Sequence, residues 1–219
     1  FDKDSKKPLA NTRIKVVGTD NSSYEIVTDP NGGFNFELNG DERYIKQGTT
    51  YSIHVDKADY LVAKDQISTI GMKESKSFIK EFYIQRASSE VPIKLENVVY
   101  QGSALVAGNG KTGLDDLIQI LRDNPTMNIE IQVHTDQRGN AKDNLELSQK
   151  RAEIARIDLV TKGIAKDRVK AKGYGGAQPL NGFSKADIDE LPTKEAQEKA
   201  HKRNRRTEFT VLNFDHQPN

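Results

Sequence analysis

The 219 residues carry 33 Lys+Arg against 32 Asp+Glu, a formal net charge of +1, so no global field draws the chain to nucleic acid or to an anionic membrane. Charged residues make up 30% and hydrophobic ones 35%, and no apolar run approaches the roughly 20 residues that cross a bilayer, so the length reads as two small folds with solvated surfaces. The absence of cysteine excludes a disulfide framework and thiol chemistry. The start, Phe1-Asp2-Lys3, has neither a methionine nor a signal-peptide core, so a fragment or a processed form is expected.

Along the first ninety residues, strand-like runs at 14–17, 24–28, 34–38, 51–55 and 78–84 are separated by turn signals, with no helical period. Asp29-Pro30-Asn31-Gly32-Gly33 supplies a fixed φ at the proline and tolerance of positive φ at Asn31-Gly32, so it predicts a tight turn into the run at 34–38. Asp29 and Asn31 are turn formers here and not calcium ligands, because too few spaced oxygen donors follow them. The expectation is an all-β antiparallel sandwich over 1–86. A small, polar stretch closed by Pro92 reads as a linker over 87–92.

The second domain is expected over 93–219 as an α+β fold, a mixed sheet with helices packed on it. A strand at 95–100 leads into a glycine-containing loop over 101–111. Leu114, Leu117, Ile118 and Leu121 then place four aliphatics on one helical face, and Asn124-Pro125 ends that helix. Ile129, Ile131 and Val133 alternate as a half-covered strand demands. A helix follows over about 141–162, with Leu145, Ser148, Ala152, Ala155 and Leu159 as its buried stripe and Gly163 as its C-cap. A strand at 168–172 runs into Gly173-Tyr174-Gly175-Gly176, read as a tight turn, then come an exposed loop, a charged helix at about 193–202 and a last strand at 206–212. The strand ending at His134 thus delivers Asp136, and the next helix carries Arg151. The two are expected close in space, a geometry suited to a ligand bearing both an ammonium and a carboxylate.

These residues carry two resemblances. The first half resembles the carboxypeptidase regulatory-like, transthyretin-like modules of Bacteroidetes envelope proteins, through residues 7–16, the turn at 28–34, and Ala58-Asp59-Tyr60 ahead of Ile67-Ser68-Thr69. The second is similar to the OmpA-like C-terminal domain, which includes peptidoglycan-associated lipoproteins and flagellar stator proteins. It carries His134-Thr135-Asp136, Gly139, Asn144, Leu147-Ser148, Arg151-Ala152, Lys162-Gly163-Ile164, Arg168-Val169, Gly173-Tyr174-Gly175, Pro179-Leu180 and Asn204-Arg205-Arg206 in that family's order. The resemblance implies non-covalent binding of the peptidoglycan stem peptide through diaminopimelate, with Asp136 on its ammonium and the Arg151 fork on its carboxylate. Thr135, Asn144, Gln101 and Arg206 are implied around the same pocket, and amides at the start of the second helix as further anion donors. Two positions depart from the family: Val133 stands where a small residue is usual, and uncharged Gln101 follows Tyr100 where an aspartate is usual.

Other chemistry is disfavoured. His54, His134, His201 and His216 lack metal-ligand spacing, and His134 is read as a structural hydrogen-bonding residue. The basic residues between 199 and 206 are interrupted by acids and lack aromatic platforms, so nucleic acid is not expected. Neither a nucleophile set nor a zinc pattern supports an enzyme, and no cofactor is implied. The expectation is a periplasmic, outer-membrane-associated anchor of a protein assembly, including a type IX secretion component among the architectures it resembles. The competing class is a protein-docking scaffold without a working wall site.

Overall fold

A computed structural model describes residues 1–39, 42–88, 90–107 and 112–218. The chain divides into two compact units, Phe1–Ala87 and Ser88–Asn219. Of the expected linker Ser89 lies outside the described residues, as do residues 108–111 of the expected glycine-containing loop.

The first unit is built on strands β1 (Arg13–Gly18), β2 (Ser23–Val27), β3 (Leu38–Asn39), β4 (Glu42–Arg43), β5 (Thr50–Asp56) and β6 (Ala63–Ser68). Four of them form an antiparallel sheet in the order β2-β1-β5-β6, and β3 pairs with β4. Ile14 and Val16 on β1 and Tyr51, Ile53 and Val55 on β5 alternate onto one buried face, as the two-residue period of a strand requires. Of the expected sandwich, the described residues show this four-stranded sheet and the separate two-stranded pair β3-β4. Phe34, Phe36, Phe78 and Phe82 pack against the core from extended segments, and only Ile84, bridging Asp2, belongs to a strand-like pair in the run at 78–84. The physical reason is that alternation reports which side chains are buried, and it is silent on whether a neighbouring backbone is there to pair. The predicted turn does form: Gly32 has φ +75°, and the Asp29 Oδ1 accepts from the amides of Asn31 at 2.7 Å and Gly33 at 2.8 Å.

The second unit contains β7 (Ile93–Leu95), β8 (Val99–Gln101), β9 (Ala104–Val106), helix α1 (Asp115–Asp123), β10 (Asn128–His134), α2 (Ala141–Thr161), β11 (Val169–Gly175), α3 (Lys185–Asp189), α4 (Lys194–Asn204) and β12 (Arg206–Asn213). The sheet order is β11-β10-β12-β7, with β10 and β11 parallel and the other pairs antiparallel, so the sheet is mixed. Helix α2 lies over β10 and β11, burying Ser148, Ala152, Ala155 and Leu159. Leu145 was expected in that stripe but is 50% exposed. The helix stops as predicted at Gly163, whose φ of +93° lets the amides of Gly163 and Ile164 return to the carbonyls of Val160 and Leu159.

Two further expectations give way. The strand predicted at 95–100 is split into β7 and β8, because Asn97 takes φ +61° and turns the chain out of the main sheet. The Gly173-Tyr174-Gly175 stretch is no turn; it is the end of β11. A side chain at Gly173 would lie 2.1 Å from the backbone nitrogen of Gln149, so glycine is there to let α2 sit directly on the sheet. The expected exposed loop after it also contains α3, opened by a capping box between Ser184 and Asp187.

Candidate functional site

The loop at residues 135–140, between β10 and α2, is fastened from several sides. The Thr135 amide donates to the Gly175 carbonyl at 2.9 Å, and its hydroxyl donates to the Asp136 carbonyl at 2.9 Å. Asn144, one turn into α2, reaches back to donate to the Arg138 carbonyl at 2.7 Å and to that of Asp136 at 3.4 Å. Asn140 caps α2, its Oδ1 accepting from the amides of Lys142 and Asp143. Two of the helix-start donors expected to face an anion are therefore spent on the cap. Thr135 and Asn144 act as loop braces, and both were predicted as site residues.

Asp136, at the tip of this loop, is part of a closed ring of alternating charges. Its Oδ2 accepts from Arg138 Nη2 at 2.8 Å and from Arg205 Nη1 at 2.5 Å, while Oδ1 accepts the Arg138 amide at 3.1 Å. The other ends of both guanidiniums meet on Glu198, each at 2.8 Å. Burial on its own would raise the Asp136 carboxyl, but the bonds from Arg138 and Arg205 outweigh it and bring the pKa down to about 2. In turn Asp136, then Glu198, raise the Arg138 guanidinium. Burial would lower Arg205, yet Glu198 and Asp136 raise it overall.

Arg151 is held differently. Its Nε donates to the Gly102 carbonyl at 2.8 Å, and its guanidinium carbon lies 5.2 Å from the centre of the Tyr100 ring. Among the described residues no carboxylate is paired with it. Burial lowers its pKa first, Tyr100 partly offsets that, and the charge of Arg205 lowers it further. Gln101 is exposed on the β8–β9 hairpin immediately before the carbonyl that anchors Arg151. Asp136 and Arg151, expected close in space, are linked through a third residue. Arg205 binds Asp136 and is also the cation whose field reaches Arg151.

Arg206, predicted as a ligand contact, spends its donors inside the protein. It forms a two-pronged pair with Glu208 at 2.9 and 3.1 Å and donates to the Gln178 carbonyl at 3.1 Å. Glu208 also lies 3.0 Å from His134 Nε2; burial raises its carboxyl, but His134 and Arg206 lower it on balance. His134 stacks flat on Tyr174, 5.0 Å between centroids. The sequence reading therefore missed Arg205, Arg138 and Glu198. The signal was the Asn204-Arg205-Arg206 run at the junction of α4 and β12, where the reading singled out Arg206 and passed over its neighbour Arg205. Acids also partner three members of the basic cluster: Arg205 and Arg206 are ion-paired as above, and Lys199 pairs with Glu195 at 2.7 Å. No group of three His, Cys, Asp or Glu residues among the described residues is placed to hold a metal.

The chain is similar in part to several known proteins. A peptidoglycan-associated lipoprotein of Buchnera aphidicola is 37% identical over 67 residues, covering 31% of this chain and 39% of that protein. One from Brucella melitensis is 32% identical over 78 residues, covering 36% and 46%. The chain thus spans less than half the length of these curated relatives. A crystal structure of the peptidoglycan-associated lipoprotein from Burkholderia pseudomallei aligns at 26% identity with a TM-score of 0.40, over 55% of this chain and 89% of that one. Residues 100–190, from β8 through α3, match the OmpA family model, so this part of the second unit is similar to an OmpA-like domain.

Proposed function

We propose that the second unit binds peptidoglycan without covalent chemistry, through the diaminopimelate of the stem peptide, and so anchors an envelope assembly to the cell wall. The observation that carries this reading is Arg151, a half-buried guanidinium over Tyr100 whose charge is opposed by Arg205 and matched by no carboxylate among the described residues. A ligand carboxylate relieves that repulsion and fits the planar fork. The neighbouring acid for the ammonium of the same ligand is Asp136, kept ionised by its arginine partners. Each charge-assisted bond contributes about 1.5 to 3 kcal/mol, so a single site is selective and modest in affinity, and many copies on one wall provide retention.

In this reading the protein works in the periplasm, associated with the outer membrane, with peptidoglycan and envelope proteins as partners. The first unit is a spacer or docking module of the carboxypeptidase regulatory-like kind, in an assembly of the type IX secretion class in Bacteroidetes. A second reading, a protein-docking scaffold, draws on one observation: both oxygens of Asp136 already have protein donors. Sedimentation with purified sacculi separates the two. Wall binding requires that the wild type be retained and that Asp136→Ala and Arg151→Ala each wash off. Equal retention of all three, or none for the wild type, leaves the scaffold.

A further inference from the structure

The ring around Asp136 poses a question for any ligand that brings an ammonium, because the Oδ2 it must reach is occupied twice. We infer that Arg138 is an internal stand-in for the ligand's ammonium, displaced from Asp136 on binding and caught by Glu198; this inference rests on the wall-binding reading above.

The two occupants of Asp136 are not equivalent. Arg205 projects from the C-cap of α4, where its amide is fixed to the His201 carbonyl, and it makes the shorter bond, 2.5 Å against 2.8 Å. Arg138 sits on the outer loop, and its side chain is 50% exposed while the Asp136 carboxylate beneath it is 11% exposed. Arg138 therefore stands between that carboxylate and solvent. Its backbone cannot easily follow the side chain, since Asn144 holds its carbonyl at 2.7 Å and its amide stays on Asp136 Oδ1. A change of side-chain rotamer alone is enough to release Oδ2.

Glu198 makes the exchange cheap in charge. When Arg138 Nη2 leaves Asp136, Nη1 keeps its 2.8 Å bond to Glu198, and Asp136 keeps Arg205 and the Arg138 amide. The incoming ammonium replaces one cation by another, so Asp136 faces two cations before and after. The gain at that half of the site is smaller than at a free carboxylate, and a simple amine gains little by entering. A ligand that also delivers a carboxylate to Arg151 gains there what it cannot gain at Asp136. Arg138 thereby makes the site read both groups at once and sets the affinity threshold.

The test is calorimetric titration of the two-unit chain with a soluble stem peptide containing meso-diaminopimelate, and with the same peptide acetylated on its free amine. Arg138→Gln is expected to bind the first peptide about fivefold tighter than the wild type, the scale of one solvent-exposed ion pair. Glu198→Gln is expected to bind it weaker, because Arg138 then has Asp136 as its remaining acid. The acetylated peptide is expected to show no gain with Arg138→Gln. Thermal unfolding within a few degrees of the wild type verifies that both variants fold. If Asp136→Ala abolishes binding while Arg138→Gln binds equally or more weakly than wild type, the stand-in role is overturned and the wall reading survives. If the wild type, Arg138→Gln and Asp136→Ala bind alike, or none binds, the wall reading fails and the inference with it. Binding by Arg138→Gln where the wild type is silent supports the inference in its strongest form.

Discussion

The two ends of β10 are both guarded by arginines, and they use them in opposite ways. At the start of the strand Arg168 is buried, and its guanidinium donates to three backbone carbonyls, those of Leu121 at 2.8 Å, Asn124 at 2.7 Å and Met127 at 2.9 Å. Those carbonyls belong to the end of α1 and the turn after it, which a helix terminus leaves without partners of its own. At the far end, beyond His134, the arginines face side-chain carboxylates in a ring open to water. A backbone carbonyl cannot move aside or change partner without breaking the fold, whereas an exposed glutamate can. A cation locked onto main chain is a strut, and one shared between two side-chain acids can give up one of them and keep the other.

This contrast can be broken most decisively at the strut. Arg168→Ala strands three carbonyls in the interior and is expected to cost about 3 to 5 kcal/mol of stability, read by denaturant unfolding. A loss below about 1 kcal/mol, the scale of an exposed pair, would show that the strut is dispensable and the distinction empty.

A smaller effect sharpens the comparison from the other end through pH. The Asp136 carboxyl stands at about 2 in the folded protein against an ordinary value of 3.8, so its ionised form stabilises the fold. That contribution is complete above about pH 4 and disappears as pH falls through about 2. Asp136→Asn is therefore expected to be less stable than wild type at neutral pH, with the difference closing between about pH 4 and pH 2. Asp2 titrates in the same window, held at about 2 by the Ser5 amide and hydroxyl and by Tyr60, so the difference between the two proteins is the quantity to measure. A gap that persists unchanged at pH 2 would mean that the asparagine damages the loop and that the charge is not what was lost.

The mildest change tests the loop itself. Asn140→Ala removes the cap that fixes the start of α2 and is expected to cost about 1 kcal/mol in thermal or denaturant unfolding. Under the proposed wall-binding function retention should persist, because the loop is still held by Asn144 and by the Gly175 carbonyl. Complete loss of retention would put the cap itself in the binding surface.

Local chemistry was legible without coordinates wherever neighbours in sequence are also neighbours in space. The alternation of Ile129, Ile131 and Val133, the α1 face of Leu117, Ile118 and Leu121, the Gly163 stop and the Asp29 turn all depend on fewer than eight consecutive residues, within reach of one strand or two helical turns. The Asp136 loop and the helix bearing Arg151 were visible for the same reason. The fold alone decided which arginine meets which acid or carbonyl, since Arg205 reaches Asp136 across 69 positions, Arg168 reaches Leu121 across 47, and Arg205 is the α4 C-cap, outside the alternation of β12. It also decided that the glycine at 173 clears space for the α2 backbone, and that Phe34 and Phe36 cover a sheet without joining one. Periodicity along a chain specifies which side of an element is buried; the identity of what buries it is a property of the packed whole.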